Sequence, residues 1–288
     1  MSDDLAEGYA QCARLTRAHG TTYYWGAALL PSPQRRHVHA IYALCRLADD
    51  IVDADGATLV EVGRTARELA AFRASFAAAL AGRPPDPVLA AIARTVQETG
   101  IQRECFDRFF DAMELDLTVT GYDTWPALCG YMEGSAAVIG EMMLPVLRPL
   151  SAEALEPARA LGFAFQLTNF LRDVGEDLDR GRVYVPADDL ARFGADPWRR
   201  AVDDAWRHVM AFEIARNREL YARAEPGVAM LPPASARCVG TALELYARIL
   251  GRIEARDYDV FSGRARVPTW RKVVTAASVL VAGTRRIG

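Results

Sequence analysis

The chain has 288 residues, about half of them hydrophobic and a quarter charged, which is enough apolar material for one large domain or two smaller ones. A formal net charge of −3 gives no general pull toward nucleic acid, and the acidic opening Met1-Ser2-Asp3-Asp4 is unlike the basic start of a secretory signal. Five scattered cysteines (Cys12, Cys45, Cys105, Cys129, Cys238) lack CxxC spacing and read as small core residues of a reducing compartment, so a soluble cytoplasmic protein is expected.

Strand-like alternation is almost absent, while alanine, leucine and arginine recur at helical period between proline and glycine breaks. Taken in order, the pattern predicts helices over 4–18, 34–54, 57–81, 87–98, 103–120, 124–133, 135–147, 153–178, 198–224, 235–257 and 268–282. The breaks at 30–33, 82–87 and 225–233 are too short for interdomain linkers, and no repeat is visible. The expectation is one all-α domain spanning 1–288, a helical bundle around a shared core. His37, His39 and His208 are expected at the surface.

The predicted helix 34–54 carries Tyr42, Arg46, Asp49 and Asp53 at spacings of four, three and four, one stripe among Ile41, Leu44, Leu47, Ile51 and Val52. Asp50 extends this acidic run toward the helix C-terminus, where the helix dipole disfavours anions. The helix 153–178 repeats the design with Gln166, Asn169, Asp173 and Asp177 among Leu161, Phe163, Phe165, Leu167, Phe170 and Leu171. Either cluster alone reads equally as a solvated face with arginine partners, since exposed like charges at this spacing cost only about 0.2–0.5 kcal/mol. On helices apolar on most sides, however, a polar stripe must face a cavity or pair its groups. Two carboxylates about 6 Å apart in a partly buried cleft repel by roughly 3 kcal/mol at an effective dielectric of about 20. Two matching clusters therefore favour a shared cation.

Carboxylate and amide oxygens without histidine or thiolate suit a hard ion, Mg²⁺ or Mn²⁺, and magnesium usually bridges one or two carboxylates to substrate phosphates. Arg46 and Arg172 stand where they could meet phosphate oxygens or pair with a neighbouring aspartate. A diphosphate held by several such ions becomes a good leaving group, and an allylic partner would leave a carbocation needing an apolar, aromatic, dry cavity.

With these residues the chain resembles the squalene and phytoene synthases, which join two prenyl diphosphates head to head. The resemblance covers His19-Gly20-Thr21-Thr22-Tyr23-Tyr24, Ala40 to Asp53, Asp116 to Thr120, Tyr131 to Gly140, and most specifically Leu161 to Pro186 with its Asp179-Arg180-Gly181-Arg182-Val183-Tyr184 run. It is most similar to the phytoene-forming members of carotenoid pathways. The resemblance implies the isoprenoid-synthase helical bundle with a central cavity. It implies two geranylgeranyl diphosphates as substrates, a cyclopropylcarbinyl diphosphate intermediate and more than one Mg²⁺ ion. No NADPH is expected, and no Gly-rich dinucleotide fingerprint is found. Carried over by position, Asp49, Asp53, Asn169, Asp173 and Asp177 would hold metal. His19, Thr22, Tyr42, Arg46, Gln166 and Arg172 would contact diphosphate, Tyr246 would contact substrate, and Tyr131 would stand near the reacting carbons. Tyr131 and Tyr246 read equally as core tyrosines. The chain departs from the family at Gly20-Thr21, where many relatives carry a basic or serine residue.

A C30 enzyme using farnesyl diphosphate, a terpene cyclase, and a non-enzymatic helical scaffold with a structural cation site remain as alternatives. From Ser262 onward six basic and no acidic side chains accompany the apolar run 273–281. This tail reads either as a last helix packed on the core or as a peripheral contact with the inner face of the cell membrane.

Overall fold

The computed structural model describes residues 3–53 and 61–263, with only the backbone of residues 21–23. The predicted helix 268–282 and the basic tail from Arg264 lie outside the described residues. In chain order the helices are α1 (Asp3–His19), α2 (Thr21–Ala27), α3 (Ser32–Val52), α4 (Val62–Leu80), α5 (Pro87–Thr99), α6 (Arg103–Leu115), α7 (Trp125–Met132), α8 (Val138–Leu147), α9 (Leu155–Asp179), α10 (Ala187–Phe193), α11 (Asp204–Ala224), α12 (Pro226–Ala229) and α13 (Pro233–Glu254). A π-helical turn, Glu133–Ala137, joins α7 to α8. No strand is present among the described residues, only an isolated parallel bridge between Gly121 and Val183.

Local chemistry places most boundaries. Asp86 caps α5 by accepting from Leu89 N at 2.8 Å, Pro87 opens it, and Gly100 closes it at φ 73°. Asp203 caps α11 through Trp206 N at 2.9 Å, so this helix starts after the predicted 198. Helix α6 stops at Leu115 instead of running to 120. Its C-terminal carbonyl at Asp116 is taken by the Arg182 side chain, and that of Thr120 by Val183 N.

Buried side chains form two clusters. One, with Leu44, Phe76, Phe106, Phe110 and Met142, lies among α1 and α3–α8; the other, with Leu171, Trp206, Met210, Leu245 and Leu250, lies among α9, α11 and α13. Trp125 and Phe163 pack against both, so the two halves share a seam. His37 and His39 are buried, contrary to expectation, while His208 is exposed. His37 and His39 leave opposite sides of α3, both covered: His37 Nδ1 meets Thr95 Oγ1 of α5 at 2.9 Å, and the His39 ring stacks on Tyr24 of α2. Burial pushes both imidazoles down, His39 to about 4.

Helices α3 and α9 run from an apolar end to a common acidic end. At the first, Gln34 Nε2 donates to the Val146 carbonyl of α8, and the chain passes through 148–154 into α9. At the other, Arg182, just past α9, bonds Asp53 and the Val52 carbonyl at the end of α3.

Candidate active site

Between these helices lies a cavity of about 1280 Å³, larger than the roughly 300–1,000 Å³ of pockets for drug-sized ligands. Both Pro157 and Asp177 of α9 line it, and twenty residues at 1.5 Å rise make it about 30 Å long. One end is apolar, with Leu144, Leu147, Pro157, Val228 and Leu231; the middle has Ile41, Phe109, Leu161, Phe165 and Phe170. The other end is acidic.

All of Asp49, Asp53, Asn169, Asp173 and Asp177 face this one cavity, together with His19, Tyr42, Arg46, Tyr131, Gln166, Arg172 and Tyr246. The two stripes, more than 100 residues apart, thus share an acidic mouth. The Thr22 side chain lies outside the described residues. His19 is solvent-exposed at the rim.

Electrostatics confirm the crowding. Burial, then Asp53 and Asp116, push the Asp49 carboxyl up to about 8. Burial, then Asp173, push Asp177 up to about 7, with Asp53 adding to the rise from across the mouth. Several aspartates already have cationic partners. Arg172 grips Asp173 with two bonds of 2.7 and 2.6 Å, Arg46 pairs with Asp50, and Asp53 meets Arg182 at 3.0 Å and Arg180 at 3.8 Å. Among the described residues, no three His, Cys, Asp or Glu side chains close around one cation position.

The donors still fit a divalent ion. They are all oxygens, their mutual repulsion lacks full compensation, and the buried Asn169 Oδ1 has no hydrogen-bond partner, its amide reaching only Gln166 at 3.5 Å. A hard cation that bridges one or two carboxylates to phosphates suits such a mouth better than a closed protein cage.

Three residues without an assigned role in the sequence reading complete the site: Asp116, Arg182 and Tyr184. Asp116 is buried and accepts from the Tyr131 hydroxyl at 2.8 Å. Burial raises its carboxyl to about 6 against the opposing pull of Arg182 and Tyr131. Tyr131, Tyr184 and Phe170 stack with nearly parallel rings, Phe170 and Tyr184 at 3.9 Å and 7°. Tyr246 packs on Phe165 at 4.4 Å. All three lay in segments already singled out, but their convergence depends on tertiary pairing of 120–123 with 183–188.

A Cβ on Gly20 would lie 2.5 Å from Tyr42 Cζ, so the tyrosine ring occupies the space that a larger residue would need.

Comparisons with known proteins agree with this geometry. Residues 16–271 match the family model described as squalene/phytoene synthase. A phytoene synthase from Arthrospira platensis is 37% identical over 285 residues, covering 93% of this chain and 91% of that protein. The 15-cis-phytoene synthase of Synechococcus elongatus is 34% identical, covering 97% and 94%. Among solved structures, a squalene synthase from Alicyclobacillus acidocaldarius superposes with TM-score 0.80 at 29% identity, covering 90% of this chain and 97% of that one. A ligand-bound dehydrosqualene synthase gives TM-score 0.87 at 25% identity, covering 96% and 97%.

Proposed function

Because the chain belongs to the squalene/phytoene synthase family, we infer that it is a prenyltransferase condensing two geranylgeranyl diphosphates head to head into phytoene, the first committed step of carotenoid biosynthesis. The carrying observation is the pairing of one acidic mouth with one long apolar cavity, in a chain whose curated relatives at 34–37% identity are named phytoene synthases. The whole chain, 1–288, acts as one domain in this reading.

The family uses divalent metal; we assign Mg²⁺, with Mn²⁺ as substitute and more than one ion. Asp49 and Asp53 would hold it from α3, and Asn169, Asp173 and Asp177 from α9. Bound there, the ions neutralise the charge that develops on departing diphosphate. The protein's own work is positioning. Arg46, Gln166, Arg172, Tyr42 and the His19–Thr22 segment orient diphosphate oxygens. The first substrate's allylic C–O bond breaks, and the double bond of the second captures the cation. Loss of a proton gives the cyclopropylcarbinyl diphosphate. Its own C–O bond then breaks, and the cation rearranges and loses a second proton, so no NADPH is needed. The stacked rings of Tyr131, Tyr184 and Phe170 line the reacting end with polarisable aromatic carbon, and the apolar walls, with Tyr246, exclude water.

Separate incubations with farnesyl and geranylgeranyl diphosphate, with Mg²⁺ and no NADPH, test the reading. The expected product is a C40 hydrocarbon from the C20 substrate. A C30 product formed preferentially from farnesyl diphosphate would move the chain to the squalene and dehydrosqualene branch. Asp49→Ala and Asp173→Ala should each abolish turnover with helical content retained.

A further inference from the structure

Three parts of the fold reach the acidic mouth: the ends of α3, α6 and α9. Each brings a carboxylate, Asp53, Asp116 and Asp177 respectively. One residue touches all three ends. The Arg182 backbone N donates to the Asp177 carbonyl at 2.8 Å. Its NH2 donates to the Asp116 carbonyl at 2.9 Å and reaches the Val52 carbonyl at 3.5 Å, and its NH1 donates to Asp53 Oδ1 at 3.0 Å. The residue is 4% exposed.

Its placement follows from local sequence. Helix α9 ends in a Schellman turn: Gly181 N bonds the Leu178 carbonyl, Arg182 N bonds the Asp177 carbonyl, and Gly181 sits at φ 75°. Glycine fits that left-handed position without strain, which puts the next residue at the mouth. Val183 N then bonds the Thr120 carbonyl at 2.8 Å, so the side chain is aimed from a backbone fixed on both sides.

A guanidinium among buried carboxylates could compete with a metal or prepare the site for one. The geometry decides between these. Two of its side-chain acceptors are backbone carbonyls, which a metal would not displace. Only NH1 reaches Asp53, and only through Oδ1, so Oδ2 stays turned toward half-exposed Arg180 and the cavity. We propose that Arg182 is a positioning residue, a permanent counter-cation that clamps the ends of α3, α6 and α9 and presents Asp53 Oδ2 for cation and diphosphate. The proposal rests on the metal–diphosphate reading of this mouth. Lysine could supply the charge but not the forked set of bonds.

Thermal stability of the full chain, measured across a Mg²⁺ titration with inorganic pyrophosphate present, separates the possibilities. The wild-type chain should be stabilised. Arg182→Gln should raise the Mg²⁺ concentration for half-maximal stabilisation about tenfold, the scale of one lost charge-assisted hydrogen bond. Arg182→Lys should raise it less, and provides the comparison if Arg182→Gln does not fold. In turnover assays, KM for geranylgeranyl diphosphate should rise at low Mg²⁺, while kcat recovers at saturating Mg²⁺. A lower melting temperature with an unchanged Mg²⁺ midpoint would make the arginine merely structural and end the proposal. A lower midpoint would end it too, identifying Arg182 as a competitor for Asp53. If the wild-type chain itself gained no stability, the diphosphate reading would fail and take this proposal with it.

Discussion

Asp49 and Asp177 stand where burial and neighbouring carboxylates raise them to about 8 and about 7, far from the ordinary 3.8. An acid raised on folding holds a proton that the unfolded chain has released, so folding takes up protons between the two values. Stability of the metal-free protein is therefore fullest below about pH 4 for these groups and is lost as pH rises, through about 7 for Asp177 and about 8 for Asp49. On the proposed metal assignment a cation needs both groups ionised, so Mg²⁺ should bind more tightly as pH rises across that range and should release protons on binding. Calorimetric titration in two buffers of different ionisation enthalpy should detect the release. Asp49→Asn should flatten the pH dependence of the metal-free melting temperature, and an equally steep profile would contradict the assignment. These two aspartates were legible in the sequence because four-residue spacing on an apolar helix has few explanations. Asp116 and Arg182 were not: each is an ordinary residue in its own segment, and only the pairing of 120–123 with 183–188 makes them neighbours.

Helix α9 approaches both the π-helical turn and α8 backbone to backbone. A Cβ on Gly162 would lie 2.4 Å from the Ala136 carbonyl oxygen, and one on Gly140 would lie 2.3 Å from that of Ala158. Helix propensity alone favours Gly162→Ala by up to about 1 kcal/mol. Overpacking against backbone costs about 1–3 kcal/mol, so the clash should win. Gly251 on α13 has nothing within 4 Å of its added Cβ and is exposed, so Gly251→Ala should gain what propensity offers. Urea midpoints for the pair should move in opposite directions; equal shifts would mean the α8–α9 seam yields freely. Such close seams leave no mark in hydrophobic period, whereas the long helices do. The predicted 153–178 and observed Leu155–Asp179 nearly coincide because a 25-residue amphipathic run dominates local chemistry. Helices α2 and α10, seven residues each, were missed because two turns give too little period to read. The end of α6 was misplaced because its stop is imposed by Arg182, 66 residues later.

Charge is unevenly divided along the molecule. Residues 264–288 carry six basic and no acidic side chains, leaving 28 basic against 37 acidic in the rest. An anionic membrane thus repels the body and attracts the tail, by about 1 kcal/mol for each basic residue at the surface. None of the helices among the described residues is long and apolar enough to cross a membrane. A peripheral, charge-driven contact of the tail would suit an enzyme whose substrates carry C20 tails and whose product is a hydrocarbon. The expected behaviour is co-sedimentation with vesicles containing anionic lipid, little with purely zwitterionic ones, and release at about 1 M salt, where the screening length falls to about 3 Å. A variant with Arg264, Arg266, Arg271, Lys272, Arg285 and Arg286 all replaced by glutamine keeps the length and apolar run of the tail. If electrostatics carry the attachment, this variant stays in the supernatant while its turnover of detergent-dispersed substrate is kept. Binding undiminished in the variant would assign any membrane contact to the apolar run 273–281 or to the body, and the charge argument would be withdrawn.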